Sequence, residues 1–236
     1  KEGLAYRQEV KAGHVDAEGN LTAEADPNGS LKTTAFPANG IIGATFNRDV
    51  AYRAGRIIGN DGIWCGCAGL YGIGANIHRS PYLGRTAEYY SECGTLTGLM
   101  AAAESNGIED MGVHVYNKHC VINDQETARH GVGAWVPEQA LREIYLRAFE
   151  LPITIGGAYN TMASFARLGT IAGPSDGTLA QTFLRGECGM KGIIVTDMYT
   201  DMNGKKDTSP EMSAALKRLE TLEKSIQMKE YTETAK

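Results

Sequence analysis

Residues 183–199 read FLRGECGMKGIIVTDMY. The stretch opens in the last turns of a helix predicted over 177–187 and passes into an apolar run, GIIVTDMY (192–199), that reads as a buried strand. The apolar residues give way at Thr196-Asp197, so a carboxylate stands where the strand ends. The same alternation recurs upstream. LYGIGANI (70–77), MGVHVYN (111–117) and PITIGGAY (152–159) read as further strands, and 48–60, 95–106 and 137–150 as amphipathic helices. Pro137-Glu138 suits a first helical turn, where a missing N–H is harmless and a carboxylate meets the positive end of the helix. Short buried strands alternating with helices predict an α/β fold with a parallel sheet.

Polar residues cluster at the C-terminal ends of these strands. Lys118-His119 follows one, Tyr159-Asn160 closes another, Thr196-Asp197 closes a third, and a loop bearing His78 and Arg85 follows the fourth. In parallel α/β architectures those ends share one face, on which active sites are built.

A chain of 236 residues with 42% hydrophobic content supports a barrel or doubly wound domain. The net charge of -5 and scattered basic residues provide no phosphate-neutralising stripe, so nucleic acid is not an expected partner. No apolar run reaches the roughly 18 residues of a membrane span, so a membrane is not expected either. Five unevenly spaced cysteines, Cys65, Cys67, Cys93, Cys120 and Cys188, argue against a disulfide framework and read as small buried hydrophobes, which favours a reducing compartment such as the cytoplasm. His78, His114 and His119 lie on separate segments without the i, i+4 pairing of zinc helices, and neither metal nor cofactor is expected. Residues 1–32 read as a loop or linker. The first residue is Lys1 with no leader pattern, as expected of a processed or trimmed chain. In 209–236, Ser209-Pro210-Glu211 followed by Met212, Leu216, Leu219, Leu222 and Ile226 predicts an amphipathic helix over 210–230.

NIHRSPYLGRTAEYYSE (76–92), KHCVINDQETARHGV (118–132), PEQALREIYLRAFELPI (137–153), AYN (158–160) and FLRGECGMKGIIVTDMY (183–199) together resemble the motifs of family 3 glycoside hydrolases, the β-glucosidase family, in order and spacing over about residues 33–208. The resemblance implies a TIM-type (β/α)8-like barrel and a retaining glycosidase acting on β-linked sugars. One carboxylate of such an enzyme attacks the anomeric carbon, and a second carboxyl group protonates the leaving oxygen and then activates water. It implies Asp197 as the nucleophile, Arg85, Lys118 and His119 as ligands of the sugar hydroxyls, and Tyr159 as the phenol beside the nucleophile. Glu88, Tyr89, Tyr90, Glu92, Asn123, Glu126 and Arg129 are expected to brace these loops.

Three departures accompany the resemblance. The family's Asp-Gly-Pro is replaced by AEADPNGSL (23–31), where Asp26 is the candidate for the far hydroxyls, and Met198 stands where an aromatic residue is common. The acid/base usually comes from a following α/β sandwich domain, and 200–236 shows no further apolar strand, so an incomplete barrel is expected, partnered by a separate acid/base domain or a second copy. A smaller branch of the family takes its acid/base from an Asp-His pair, for which Asp124 and His130 lie on the corresponding loop. The alternative to an enzyme is an inactive relative that binds sugar or another protein.

Overall fold

A computed structural model of the chain describes residues 36–129 and 132–197. The predicted domain boundaries, Asp26, His130, Met198 and the helix of 210–230 lie outside the described residues.

The chain enters through α1 (Asn39–Ala44) and α2 (Arg48–Trp64). The Asn47 side chain caps α2 by accepting from the Asp49 N–H at 2.9 Å. Strand β1 (Gly69–Leu70) follows, then α3 (Gly94–Glu109), β2 (His114–Cys120), a helix over 138–154 here called α4, β3 (Asn160–Ala163), α5 (Thr178–Glu187) and β4 (Ile194–Thr196). Among the described residues β1, β2, β3 and β4 form one all-parallel sheet in chain order, each crossover being a helix. This is the connectivity of a barrel wall. Gly133–Ala134, Arg167–Leu168 and Ile171–Ala172 add a small separate sheet.

Register places the strand ends. Gly69 lies opposite His114, Asn117 opposite Thr161, and Ala163 opposite both Cys120 and Thr196. The β2–β3 ladder is irregular between Asn117 and Cys120. Bulges of this kind re-aim side chains, and here the interruption falls on Lys118 and His119.

Several sequence expectations shift. The run 70–77 is strand only at its start; beyond it Lys118 N–H donates to the Ile73 carbonyl (2.8 Å) and Ala75 N–H to the Lys118 carbonyl (2.7 Å), so an irregular segment continues alongside β2. The strand expected over 111–117 lies at His114–Cys120, which puts Lys118 and His119 inside the strand rather than beyond it. The run 152–159 is not a strand. Helix continues to Thr154 with Pro152 in its last turns, and β3 starts only at Asn160. A short apolar run fits either element, and burial of Leu151 and Pro152 on the helix decides it. Cys93 is exposed, unlike the other four cysteines, which are buried as expected.

Helix α2 crosses α3 at close range because each presents a glycine to the other's backbone. A Cβ at Gly55 would meet the Glu104 carbonyl, and one at Gly107 the Tyr52 carbonyl. Beside this crossing Tyr90 donates to the buried Glu104 carboxylate at 2.6 Å.

Gly107→Ala should therefore destabilise the protein by about 1–3 kcal/mol, because the added methyl forces the helix backbones apart. Gly177 is the contrast: it has φ of -64° and ψ of -29°, and a methyl added there would find no atom within 4 Å, so Gly177→Ala should be neutral or stabilising by about 0.4–1 kcal/mol. Denaturant midpoints of the two variants against the parent check both.

Candidate active site

The site grows from the β2–β3–β4 ladder. Ser164 N–H donates to the Cys120 carbonyl at 2.7 Å, and Thr196 lies opposite Ala163, so His119 and Asp197 reach the same edge of the sheet with β3 between them. His119 Nε2 stands 3.7 Å from Asp197 Oδ2, although 78 residues separate the two in sequence. Lys118 and His119 are both buried, as is most of the Asp197 side chain.

Arg85 enters from the loop that follows the 73–77 segment. Its guanidinium makes a bidentate pair with Glu88, Nε to Oε1 and Nη2 to Oε2, both at 2.7 Å. Lys118 Nζ lies 3.5 Å from the same carboxylate. Burial pushes the Glu88 carboxyl up, but the Arg85 hydrogen bonds and the Lys118 charge outweigh it and hold the group below its ordinary value. Arg129 is held by Glu126 at 2.9 Å and lies over the Phe165 ring, 4.7 Å from its centroid. His119 is pushed well below its ordinary value by burial first, and then by the charges of Arg85, Lys118 and Arg129. The imidazole is therefore neutral, and its approach to Asp197 is a polar contact rather than an ion pair. These cations bear on one ring, and Glu88 and Glu126 hold them in place.

Other groups fix the ring and its loops. Asn76, fully buried, accepts from the His119 backbone N–H at 2.7 Å and lies 3.2 Å from its Nδ1. Tyr89 packs edge-on to His119, with centroids 6.5 Å apart, and its hydroxyl lies 3.2 Å from the Asn123 side-chain amide. His78 Nε2 lies 2.8 Å from the Thr86 carbonyl and 3.0 Å from that of Tyr89, so this histidine ties the loop together.

The structure brings together Arg85, Lys118, His119 and Asp197 as the sequence suggests, and adds Arg129, which the sequence marks only as a brace. It does not bring Tyr159. That residue precedes β3, is 53% exposed, and its carbonyl accepts from Gly192 N–H at 3.0 Å. The four residues of β3 and Ser164 then separate it from the level of Asp197, about 16 Å at the rise of a β-strand. The aromatic residue at the Asp197 end of β3 is Phe165. Asn160 is a strand clamp: it accepts from Ile193 N–H at 3.0 Å. Asn76 escapes sequence reading, because a single polar residue inside LYGIGANI carries no signal of its partners.

Asp124 lies apart from this corner. It lines a cavity of ≈ 390 Å³ with Arg79, Trp135 and Tyr145, among whose walls none of Arg85, Lys118, His119 and Asp197 appears. The residue is only 5% exposed, its carboxylate oxygens make no close hydrogen bond, and burial pushes it up to about 6 against the opposing pull of Arg79 and the Ile77 amide. Among the described residues no helix is long and apolar enough to cross a membrane, and no cluster of His, Cys, Asp and Glu is arranged to hold a metal ion.

Residues 18–229 match the model of the glycosyl hydrolase family 3 N-terminal domain. A β-glucosidase of Ruminococcus albus is 35% identical over 174 residues, covering 74% of this chain and 18% of that protein. β-Glucosidase A of Butyrivibrio fibrisolvens is 33% identical, covering 73% and 21%. Among solved structures, β-glucosidase 3B of Thermotoga neapolitana in complex with glucose superposes with a TM-score of 0.74 at 32% identity, covering 85% of this chain and 31% of that one. The chain thus spans about a fifth of the length of these curated relatives.

Asp124 carries a pH signature of its own. A carboxyl whose folded value lies above its unfolded one binds its proton more readily in the native state, so its contribution favours folding at low pH and is lost as pH rises from 3.8 to about 6. Asp124→Asn should therefore gain stability relative to the parent as pH climbs through that window, with a constant difference above it. Paired thermal melts at pH 4, 5, 6 and 7 check this, and a difference independent of pH would refute it.

Proposed function

The chain belongs to glycosyl hydrolase family 3, and from that premise we propose that the corner at the end of β2, β3 and β4 binds the terminal sugar of a β-glucoside, or a related β-glycoside, and attacks it with Asp197. The 3.7 Å approach of His119 to Asp197, on a ring that bears the charges of Arg85, Lys118 and Arg129, is the observation that carries this reading.

A pyranose presents a ring of hydroxyls that must be met by directional donors and acceptors. Arg85, Lys118 and Arg129 supply charged donors, which make the shorter and stronger hydrogen bonds. Glu88 and Glu126 orient these cations. Asp197 rides on a rigid strand end, which aims its carboxylate at one point, the anomeric carbon. In the first step the carboxylate oxygen forms a bond to that carbon, the bond to the leaving oxygen breaks, and that oxygen takes a proton. In the second, water attacks the glycosyl ester, gives its proton back to the same acid/base and frees Asp197.

The described carboxyls near the corner are committed elsewhere: Glu88 to Arg85 and Lys118, and Glu126 to Asn123 and Arg129. Asp124 lines a cavity apart from that corner. We therefore assign the acid/base to a carboxyl outside the described residues, carried by a further domain or a partner subunit. Asp26 remains the proposed acceptor for the far hydroxyls.

An aryl β-glucoside with a strongly acidic phenol as leaving group needs no protonation and isolates the first step. Such a substrate should release its phenol with the parent protein, and Asp197→Ala should slow this on the order of 10³-fold or more. Alkyl glucosides, which require the proton, should fall short by about 10² to 10⁴ wherever the acid/base is missing from the assay. Absence of release from parent and variant alike would count against the nucleophile and for a sugar-binding protein without turnover.

A further inference from the structure

We propose that Asn76 places the proton of His119 on Nδ1, so that Nε2 faces the Asp197 carboxylate as a bare lone pair and can only accept a hydrogen bond from a substrate hydroxyl. Asn76 is thus a positioning residue, acting on the sugar through His119. Its meaning for substrate choice rests on the function proposed above; the proton placement itself does not.

The orientation of the Asn76 amide is fixed by its surroundings. Nδ2 lies 2.9 Å from the His119 carbonyl and 3.2 Å from the Val121 carbonyl. Carbonyls only accept, so the NH₂ end must point at them. The other end is then oxygen, and it meets the His119 backbone N–H at 2.7 Å and Nδ1 at 3.2 Å. Rotating the amide by half a turn would set NH₂ against a backbone N–H and oxygen against two carbonyls, losing all of these contacts inside a fully buried environment. The Asn76 oxygen therefore requires a donor at Nδ1. A neutral imidazole carries a single proton, so Nε2 has none.

The far side of the ring agrees. Nε2 and Asp197 Oδ2 are 3.7 Å apart, beyond the 2.7–3.2 Å of an N–H···O bond and suited to two acceptors facing each other. A ligand group that hydrogen-bonds to Nε2 must bring its own proton. A sugar hydroxyl does so; a fluorine, a methyl ether or a bare CH₂ at the same position does not, and each leaves the Nε2 lone pair buried without a partner. Such analogues should bind about 10- to 100-fold more weakly than the parent sugar.

Long-range ¹H–¹⁵N correlation of the full chain labelled with [¹⁵N]histidine reads the tautomer directly. Five histidines are present, and the His119 signals are those lost in His119→Gln. A pyrrole-type Nδ1 and a pyridine-type Nε2, unchanged between pH 8 and pH 6, is the expected result. Asn76→Asp, which retains an acceptor for Nδ1, should keep that pattern, and Asn76→Ala, which removes it, should shift the proton toward Nε2. A pyridine-type Nδ1 in the parent, or a ring protonated at both nitrogens, overturns the inference, and so does a tautomer in Asn76→Ala identical to the parent's. The parent spectrum is decisive even where a variant does not fold. An Nδ1–H spectrum in a protein inert toward activated glucosides would refute Asp197 chemistry while upholding the role of Asn76, so the two failures are separable.

Discussion

The register of the β2–β3–β4 ladder is the constraint on which the site depends. Ala163 pairs with Cys120 on one side and Thr196 on the other, and that single level of the sheet brings residues from three distant parts of the chain to a common edge. A shift by one residue would reverse which face each side chain meets. Asn160 pins the lower end of the ladder by accepting from Ile193 N–H. Glycine-mediated contact between α2 and α3 brings the backbones of these covering helices close together. The helices and the strand clamp therefore serve the candidate site indirectly, by keeping Asp197 near His119.

Charge at this corner is arranged in layers. Arg85, Lys118 and Arg129 surround the imidazole, and each cation rests against a carboxylate, Glu88 or Glu126. Burial alone would make either the cations or the acids costly; pairing offsets that cost. The bidentate geometry of Arg85 on Glu88 also restricts the guanidinium to one plane. The ligand proposed above, neutral and rich in hydroxyls, needs directed hydrogen bonds of this kind more than net charge.

Much of this is legible in the sequence. Helices 48–60 and 95–106 carry enough periodic turns to be placed within a few residues, and Arg85, Lys118, His119 and Asp197 stand out because reactive side chains end or interrupt apolar runs. Tyr159 misleads for a physical reason. PITIGGAY is apolar, β-branched and glycine-containing, and nothing local tells that Pro152 closes a helix instead of opening a strand. A strand begun eight residues early puts Tyr159 at its wrong end. Asn76 is illegible for the opposite reason: its importance lies wholly in partners 43 and 45 residues away. Arg129 is visible, but only the fold shows that it bears on His119.

The neutral state of His119 matters most for what it spares Asp197. A full positive charge 3.7 Å from the carboxylate would attract it by about 4.5 kcal/mol even at an effective dielectric near 20, and in the role proposed for Asp197 an oxygen stabilised to that degree would be a poorer nucleophile. Burial and the neighbouring cations discharge the ring, and with its proton turned toward Asn76 it offers Asp197 neither a charge nor a hydrogen bond. Lys118 and Arg85 are each paired with Glu88. Under the proposed function, the same wall can thus carry cations that would hold hydroxyls and still leave the Asp197 carboxylate reactive, provided the group closest to that carboxylate is an acceptor.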